Sequence, residues 1–149
     1  MSASLAVVEA RPARAGDPAP ADTIVLAHDE RHLRRKRLTA RRGMAVMVEF
    51  GNAVRLADRD RLVLSDGRQV EVLAATEDLL ELRGRDAVHL ARLAWHLGNR
   101  HLPAQVEADR ILIVRDPVIA DMVRALGAAL QAVREPFEPV HGAYHHHHG

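Results

Sequence analysis

The sequence predicts an α+β protein. A small all-β domain is followed by a ferredoxin-like βαββαβ domain and a disordered histidine-rich tail. Three observations support this prediction. Short segments of strand character, separated by turn residues, fill the first half of the chain. Helical periodicity begins only after Asp86, and strand-like segments then alternate with helical ones. The last nine residues hold five of the ten histidines and no apolar periodicity.

Composition limits both the core and the chemistry. Of the 149 residues 48% are apolar but only 3% are aromatic, so the core must consist of Leu, Val and Ala. There is no cysteine, which excludes disulfide scaffolds, thiolate nucleophiles, Fe–S clusters and cysteine zinc sites. Any metal must therefore bind to His, Asp, Glu or backbone oxygen. The net charge of +1 provides no general attraction to nucleic acid or to a membrane.

The first 75 residues divide into a disordered segment and a β domain. Residues 1–21 are predicted to be disordered, since 10–21 are rich in Pro and Ala. They show no signal peptide and the chain contains no membrane-spanning run, so we expect a cytoplasmic protein. Residues 22–75 are predicted to form an all-β peptide- or partner-binding domain. Its strongest signal is a hairpin at Asp66-Gly67, between two alternating apolar runs.

Residues 76–139 are predicted to form the ferredoxin-like domain. Asp86 and Asp116 are suitable N-caps for two helices, Pro117 suits the first turn of the second, and Gly98-Asn99 is a plausible stop for the first. The predicted elements in chain order are a strand at 78–83, a helix at 86–97, strands at 101–107 and 110–115, a helix at 117–130 and a strand at 131–137. This β-α-β-β-α-β order is that of the split βαβ fold.

Three histidines lie along the first helix and just beyond it. His89 and His96 are separated by about 10.5 Å along a helix and cannot share one ion. His96 and His101 could approach a common point if the chain turns at Gly98. The alternative is that His101 is a hydrogen-bonding loop residue and His96 a partly exposed helix residue. Chemistry alone leaves both interpretations open.

The tail at 140–149 contains His141, His145, His146, His147 and His148. Neutral imidazole binds Zn, Cu, Fe or Ni, so this segment is a candidate metal-binding tail. The alternative is that a terminal histidine run is the remnant of an expression tag.

The string from His96 to Pro103, His-Leu-Gly-Asn-Arg-His-Leu-Pro, resembles the signature of the urease accessory protein E (UreE) family. Further similarities occur in the same order along the chain. They are Leu38-Thr39, the hairpin from Asp60 to Gly67, Ala91-Arg92, Arg115-Asp116, Asp121-Met122, and Phe137-Glu-Pro139 leading into the tail. The resemblance covers about residues 22–149, and the lead-in Gly142-Ala-Tyr144 favours a native tail over a tag.

The resemblance implies a nickel metallochaperone that delivers Ni(II) for assembly of the urease active site. It implies a homodimer through the C-terminal domain, with His101 as the principal ligand, shared with its symmetry mate, and with the tail histidines as further ligands. It implies the urease maturation GTPase and apo-urease as partners. Some members carry a second histidine pair just before the second helix, where this chain has Arg115-Asp116-Pro117. That auxiliary site is absent here.

The sequence also leaves room for other functions. A histidine-rich metal buffer without a delivery partner is the main alternative, and Zn(II) and Cu(II) are further candidate ions. The basic run from Arg31 to Arg42 favours a solvated edge or a partner-docking surface over nucleic-acid binding, because no aromatic residue accompanies it. No G-x-S-x-G, P-loop or H-E-x-x-H motif occurs, so the sequence does not predict an enzyme.

Overall fold

A computed structural model describes residues 4–141. The chain divides into two compact units between Ala75 and Thr76. Each unit is described by itself below. Within residues 4–141, no helix is long and apolar enough to cross a bilayer.

The first unit is a six-stranded sheet. Its strands are β1 (Leu5–Arg11), β2 (Asp22–Leu26), β3 (His32–Thr39), β4 (Ala45–Arg55), β5 (Arg61–Leu64) and β6 (Gln69–Ala74). They lie in the order β2-β6-β5-β1-β4-β3. The hairpin predicted at Asp66-Gly67 joins β5 to β6, and Gly67 has the positive φ of 89° that such a turn requires. The core is aliphatic, with Val46, Leu62 and Val70 fully buried.

Residues 4–21, predicted to be disordered, instead contain a central strand of this sheet. β1 pairs in parallel with β4 and antiparallel with β5, and Val7 is buried in the core. Asp17 links the Pro/Ala-rich segment to the end of β1, because its carboxylate accepts hydrogen bonds from the Arg11 guanidinium at 2.7 and 3.1 Å. The stabilising partners of β1 are distant in sequence, so local composition did not indicate them.

The second unit has the predicted order of elements. They are β7 (Thr76–Arg83), α1 (Ala87–Asn99), β8 (Gln105–Val106), β9 (Ile111–Val114), α2 (Pro117–Ala125) and β10 (Ala129–Pro136). The sheet order is β10-β7-β9-β8, and every neighbouring pair is antiparallel. This is the ferredoxin-like arrangement, and the prediction is confirmed. The helices contribute Leu93, Leu97 and Val123 to a core with Leu82 and Ile111 of the sheet.

Both predicted N-caps are present, but two element boundaries differ by four or more residues. Asp86 accepts from the His89 backbone N–H, and Asp116 accepts from two N–H groups of the first turn of α2. α2 ends at Ala125, not at residue 130, because Gly127 adopts φ 91° and turns the chain. β8 has only two residues, since residues 101–104 complete the end of α1 and the loop that follows it.

Candidate metal centre

His101 is the residue at which the chain leaves α1. It has φ 58°, in the left-handed region, whereas the predicted stop at Gly98 has no positive φ. The His101 N–H donates to the Gly98 carbonyl at 3.0 Å, and the Leu102 N–H donates to the Leu97 carbonyl at 3.1 Å. These two bonds form a Schellman motif with His101 at its C′ position. The sequence indicated a turn here but assigned it to the wrong residues.

This position normally favours glycine, because a side chain in the left-handed region costs about 1–2 kcal/mol. Non-glycine residues held in this region cluster at functional sites. The His101 side chain is exposed, while Leu97 and Leu102 on either side of it belong to the core cluster. The imidazole is therefore carried on a backbone fixed by two hydrogen bonds and by packing, and it is accessible to a ligand.

The other two histidines of α1 have different environments. His89 is buried, with Nδ1 accepting from the Arg85 N–H at 2.9 Å and Nε2 lying 2.8 Å from the Leu126 carbonyl oxygen. Both ring nitrogens are thus used to connect the start of α1 to the end of α2. His96 is half-buried, and its ring meets Trp95 edge-on at a centroid distance of 5.2 Å.

The described residues of one chain do not form a closed metal site. Within residues 4–141, no group of three or more His, Asp or Glu side chains is arranged to hold an ion. His101 therefore offers one exposed imidazole. His145, His146, His147 and His148 lie outside the described residues.

Apolar surface adjoins the His101 loop. Leu102 and Pro103, which come directly after His101 in the chain, line a concavity of about 110 Å³. Its lining consists of Leu102, Pro103, Ile113, Val114, Arg115, Asp116 and Ile119. Val114, which lines it, is 42% exposed, and Val118 on the first turn of α2 is 70% exposed. Trp95, near the end of α1, is 65% exposed.

The start of the tail reaches the same loop. Beyond β10, Phe137 is fully buried with Leu79 and Leu112. The Glu138 N–H then donates to Gln105 Oε1 at 2.8 Å, and the Val140 N–H donates to the Ala104 carbonyl at 2.8 Å. His141 follows and is exposed. The first tail histidine is thus next to a residue bonded to the loop that begins at His101.

The carboxylates of the second unit are largely engaged by arginine. Arg110 contacts Glu81, Glu107 and Glu135 at 2.7–3.1 Å. The pKa of Glu81 is lowered by hydrogen bonds from Arg83 and Arg110, against the opposing effect of burial, and the pKa of Glu135 is lowered by Arg110. Because their charges are already compensated, these carboxylates are poor candidates for metal ligands.

The segment before α2, Arg115-Asp116-Pro117, makes structural contacts. The Arg115 Nε donates to the Leu79 carbonyl at 3.0 Å, and its Nη2 donates to the Val133 carbonyl at 3.0 Å. Asp116 caps the helix. In the first unit, the central part of the basic run forms β3 (His32–Thr39) at the edge of the sheet, and residues 34–37 are all exposed.

Comparison with known families settles the relationship. Residues 77–149 match the model of the UreE urease accessory protein C-terminal domain, and residues 6–75 match that of its N-terminal domain. The chain belongs to the UreE urease accessory protein family. The N-terminal match includes most of β1, which agrees with its place in the sheet.

Individual members of the UreE family are similar over most of the chain. The urease accessory protein UreE of Rhizobium meliloti is 54% identical over 132 residues, which are 89% of this chain and 86% of that protein. UreE of Mesorhizobium japonicum is 58% identical over 120 residues, 80% of this chain. The match spans 61% of the length of the Mesorhizobium protein. UreE 1 of Brucella suis is 54% identical over 128 residues, which are 86% of this chain and 79% of that protein.

Proposed function

We propose that this UreE chain is a nickel metallochaperone, which binds Ni(II) through His101 and delivers it for assembly of the urease active site. The observation that carries the proposal is the placement of His101. An exposed imidazole occupies a left-handed helix stop that glycine would fill at lower cost. A histidine at this costly position is explained if its imidazole binds a metal ion, a role that the fold itself does not require.

The site is completed by a second copy of the chain. One imidazole is an incomplete shell for a divalent ion, and an isologous contact near His101 would bring two of them together. The apolar concavity that Leu102, Pro103 and the 42% exposed Val114 line beside the His101 loop supports such a contact, because exposed apolar patches mark interaction surfaces. We therefore propose a homodimer through the C-terminal unit.

Further ligands come from the tail. Additional imidazoles come from His141, His145, His146, His147 and His148. His96, whose ring packs on Trp95, is a further candidate ligand. Imidazole sites follow the Irving–Williams order, so Cu(II) is expected to bind more tightly than Ni(II), and Zn(II) also binds such sites. Selectivity for nickel therefore lies in cellular supply and in the partners. We propose that the partners are the urease maturation GTPase and apo-urease, in the cytoplasm.

Nickel delivery is tested by urease activation. Purified protein and its His101→Ala variant are added to apo-urease with the maturation GTPase and limiting Ni(II), and urease activity is measured. We expect the wild-type chain to raise activity and the variant to lose most of that effect. His32→Ala, which alters an exposed histidine of the first unit, is the control and should act as wild type.

Two results would contradict the proposal. Equal activation by wild type and His101→Ala would exclude His101 as the anchor. Tight Ni(II) binding without any stimulation of activation would favour the alternative, a histidine-rich metal buffer without a delivery partner. Light scattering of the nickel-loaded protein checks the dimer, and a monomer at micromolar concentration would contradict the shared site.

A further inference from the structure

The outer face of α1 carries a row of exposed residues, here called the α1 stripe. Its members are Val88, Ala91, Arg92, Trp95 and Asn99. At 3.6 residues per turn, their spacing places them within about 100° on one side of the helix and along about 16 Å of its length. The side chains that α1 buries in the core, Leu90, Leu93 and Leu97, lie on the opposite side. The α1 stripe therefore takes no part in the packing of the core.

Two large apolar side chains of the stripe are exposed to water. Trp95 is 65% exposed and Val88 is 62% exposed. The edge-on contact between Trp95 and His96 leaves most of the indole uncovered. Aromatic side chains bury a large area at interfaces, and tryptophan and arginine are the residue types most enriched among those that dominate binding energy. The α1 stripe, with Trp95 beside Arg92, has the composition of a protein-docking surface.

The charge around the stripe is positive. Arg92 lies within it, Arg85 precedes the helix and Arg100 follows it, and all three are exposed. Within residues 4–141, none of the three forms an ion pair. The helix itself contains no Asp or Glu, and the carboxylate of Asp86 is engaged as the N-cap. An acidic surface is therefore the electrostatic complement of this face.

A second copy of the chain does not supply such a surface. An isologous contact brings the same face of both copies together, so it would place arginines against arginines with no free carboxylate between them. Like charges across an interface cost affinity. A different protein with carboxylates around an apolar centre fits both features. Its apolar centre covers Trp95 and Val88, and its carboxylates pair with the guanidinium groups.

We infer that the α1 stripe docks the protein that receives nickel from this chain, through an acidic surface with an apolar centre. The inference rests on the proposed nickel delivery and extends it to a surface that binds no metal. Asn99, the last residue of the stripe, is two residues before His101. A protein docked on the stripe is thus held beside the exposed imidazole, where an ion can pass between the two proteins.

Trp95 makes the docking observable, because it is the only tryptophan of the chain. The metal-free, full-length chain is produced with 5-fluorotryptophan, so that Trp95 gives its only ¹⁹F resonance. The maturation GTPase and apo-urease, the two proteins of the activation assay, are each titrated into it. We expect one of them to shift the resonance. The dissociation constant obtained should rise with salt concentration, because the contact pairs opposite charges.

Charge reversal locates the contact. Arg92→Glu reverses the charge at the middle of the stripe, and Arg92→Lys retains it. The matched control is Arg124→Glu, which makes the same change at an exposed residue of α2. We expect Arg92→Glu to weaken docking by about tenfold or more, as for an arginine that dominates an interface. Arg124→Glu should change it by less than about twofold, and Arg92→Lys should retain most of the affinity.

Ni(II) affinity and urease activation are measured on the same variants. We expect Arg92→Glu to bind Ni(II) as wild type does but to stimulate activation less. Equal stimulation by wild type and Arg92→Glu would overturn the inference and leave nickel delivery intact. Equal weakening of docking by Arg92→Glu and Arg124→Glu would also overturn it. Failure of delivery itself would give a different result, in which the wild-type chain docks but does not activate urease.

A second measurement tests whether another copy of the chain covers the stripe. Acrylamide quenching of Trp95 fluorescence is measured in the metal-free chain alone, over a range of micromolar concentrations. We expect strong quenching that does not depend on concentration, since the indole is exposed. A shielded tryptophan would assign this face to an interface between copies and would overturn the inference. So would an unchanged ¹⁹F resonance with both the GTPase and apo-urease.

Discussion

The left-handed conformation of His101 leads to a prediction about stability as well as binding. We compare His101→Gly with His101→Ala, since both remove the imidazole but only glycine adopts φ 58° without strain. Alanine in the left-handed region costs about 1–2 kcal/mol. The greater freedom of glycine in the unfolded chain offsets about 0.5–1 kcal/mol of this. His101→Gly should therefore be more stable than His101→Ala by about 1 kcal/mol.

The assay is unfolding of the metal-free protein. Both variants are treated with a chelator and unfolded by heat and by urea. For a chain of this size, a difference of about 1 kcal/mol corresponds to a difference of about 3 °C in Tm. Because the imidazole is absent from both variants, calorimetry should show equal loss of the Ni(II) site at this position. The pair thus separates the conformational role of residue 101 from its role as a ligand.

The order of the two stabilities decides the outcome. If His101→Ala is as stable as His101→Gly, the end of α1 does not depend on a left-handed residue at 101. Histidine at 101 would then carry no conformational cost for a binding function to explain. The helix stop also predicts that His101→Val is the least stable of the three, because a β-branched residue is the poorest fit to this conformation.

Three further predictions concern the metal and the fold. Ni(II) affinity should fall as pH decreases from about 7.5 to 5.5, because imidazole has an unperturbed pKa of about 6.5 and binds metal only when neutral. A flat profile would refute histidine ligation. Asp116→Ala should lower the free energy of unfolding by about 1 kcal/mol, since two N–H groups of α2 lose their cap, and unchanged urea midpoints would contradict this. The pKa values of Glu81 and Glu135 are lowered in the folded protein. These carboxylates therefore stabilise the fold at pH values above their unfolded-state pKa of about 4.3. This stabilisation is lost as the pH falls through the lowered pKa values. Arg110→Met should therefore cost more stability at pH 7 than at pH 3, as measured by urea unfolding at both.

Local signals were reliable where one short segment contains the whole interaction. Asp86 and Asp116 were identified as caps because a cap bonds within its own first turn. The Asp66-Gly67 turn was identified for the same reason. The order of elements in the second unit followed from these signals and from apolar periodicity, and the ferredoxin-like topology is confirmed.

Signals failed where the stabilising partner is distant in sequence. β1 is a short apolar segment that precedes a Pro-rich one, and its hydrogen bonds go to β4 and β5, some forty to sixty residues away. The stop of α1 was assigned to Gly98-Asn99 because glycine is the usual left-handed residue. The observed stop is His101, and only the pattern of backbone hydrogen bonds distinguishes the two.

By itself the sequence determined the available chemistry: without cysteine, and with histidines in the Gly-Asn-Arg-His string and the tail, imidazole is the main candidate ligand. It also determined the succession of strands and helices, because periodicity and capping are local properties. Tertiary structure decided which histidine is structural, which is presented to solvent, and where the tail begins. His89 is held between two helix ends, His101 stands at a left-handed stop, and Val140 is bonded to Ala104, thirty-six residues earlier in the chain. Such contacts depend on how the sheet pairs and the helices pack, and long-range pairing has no counterpart in the spacing of neighbouring residues.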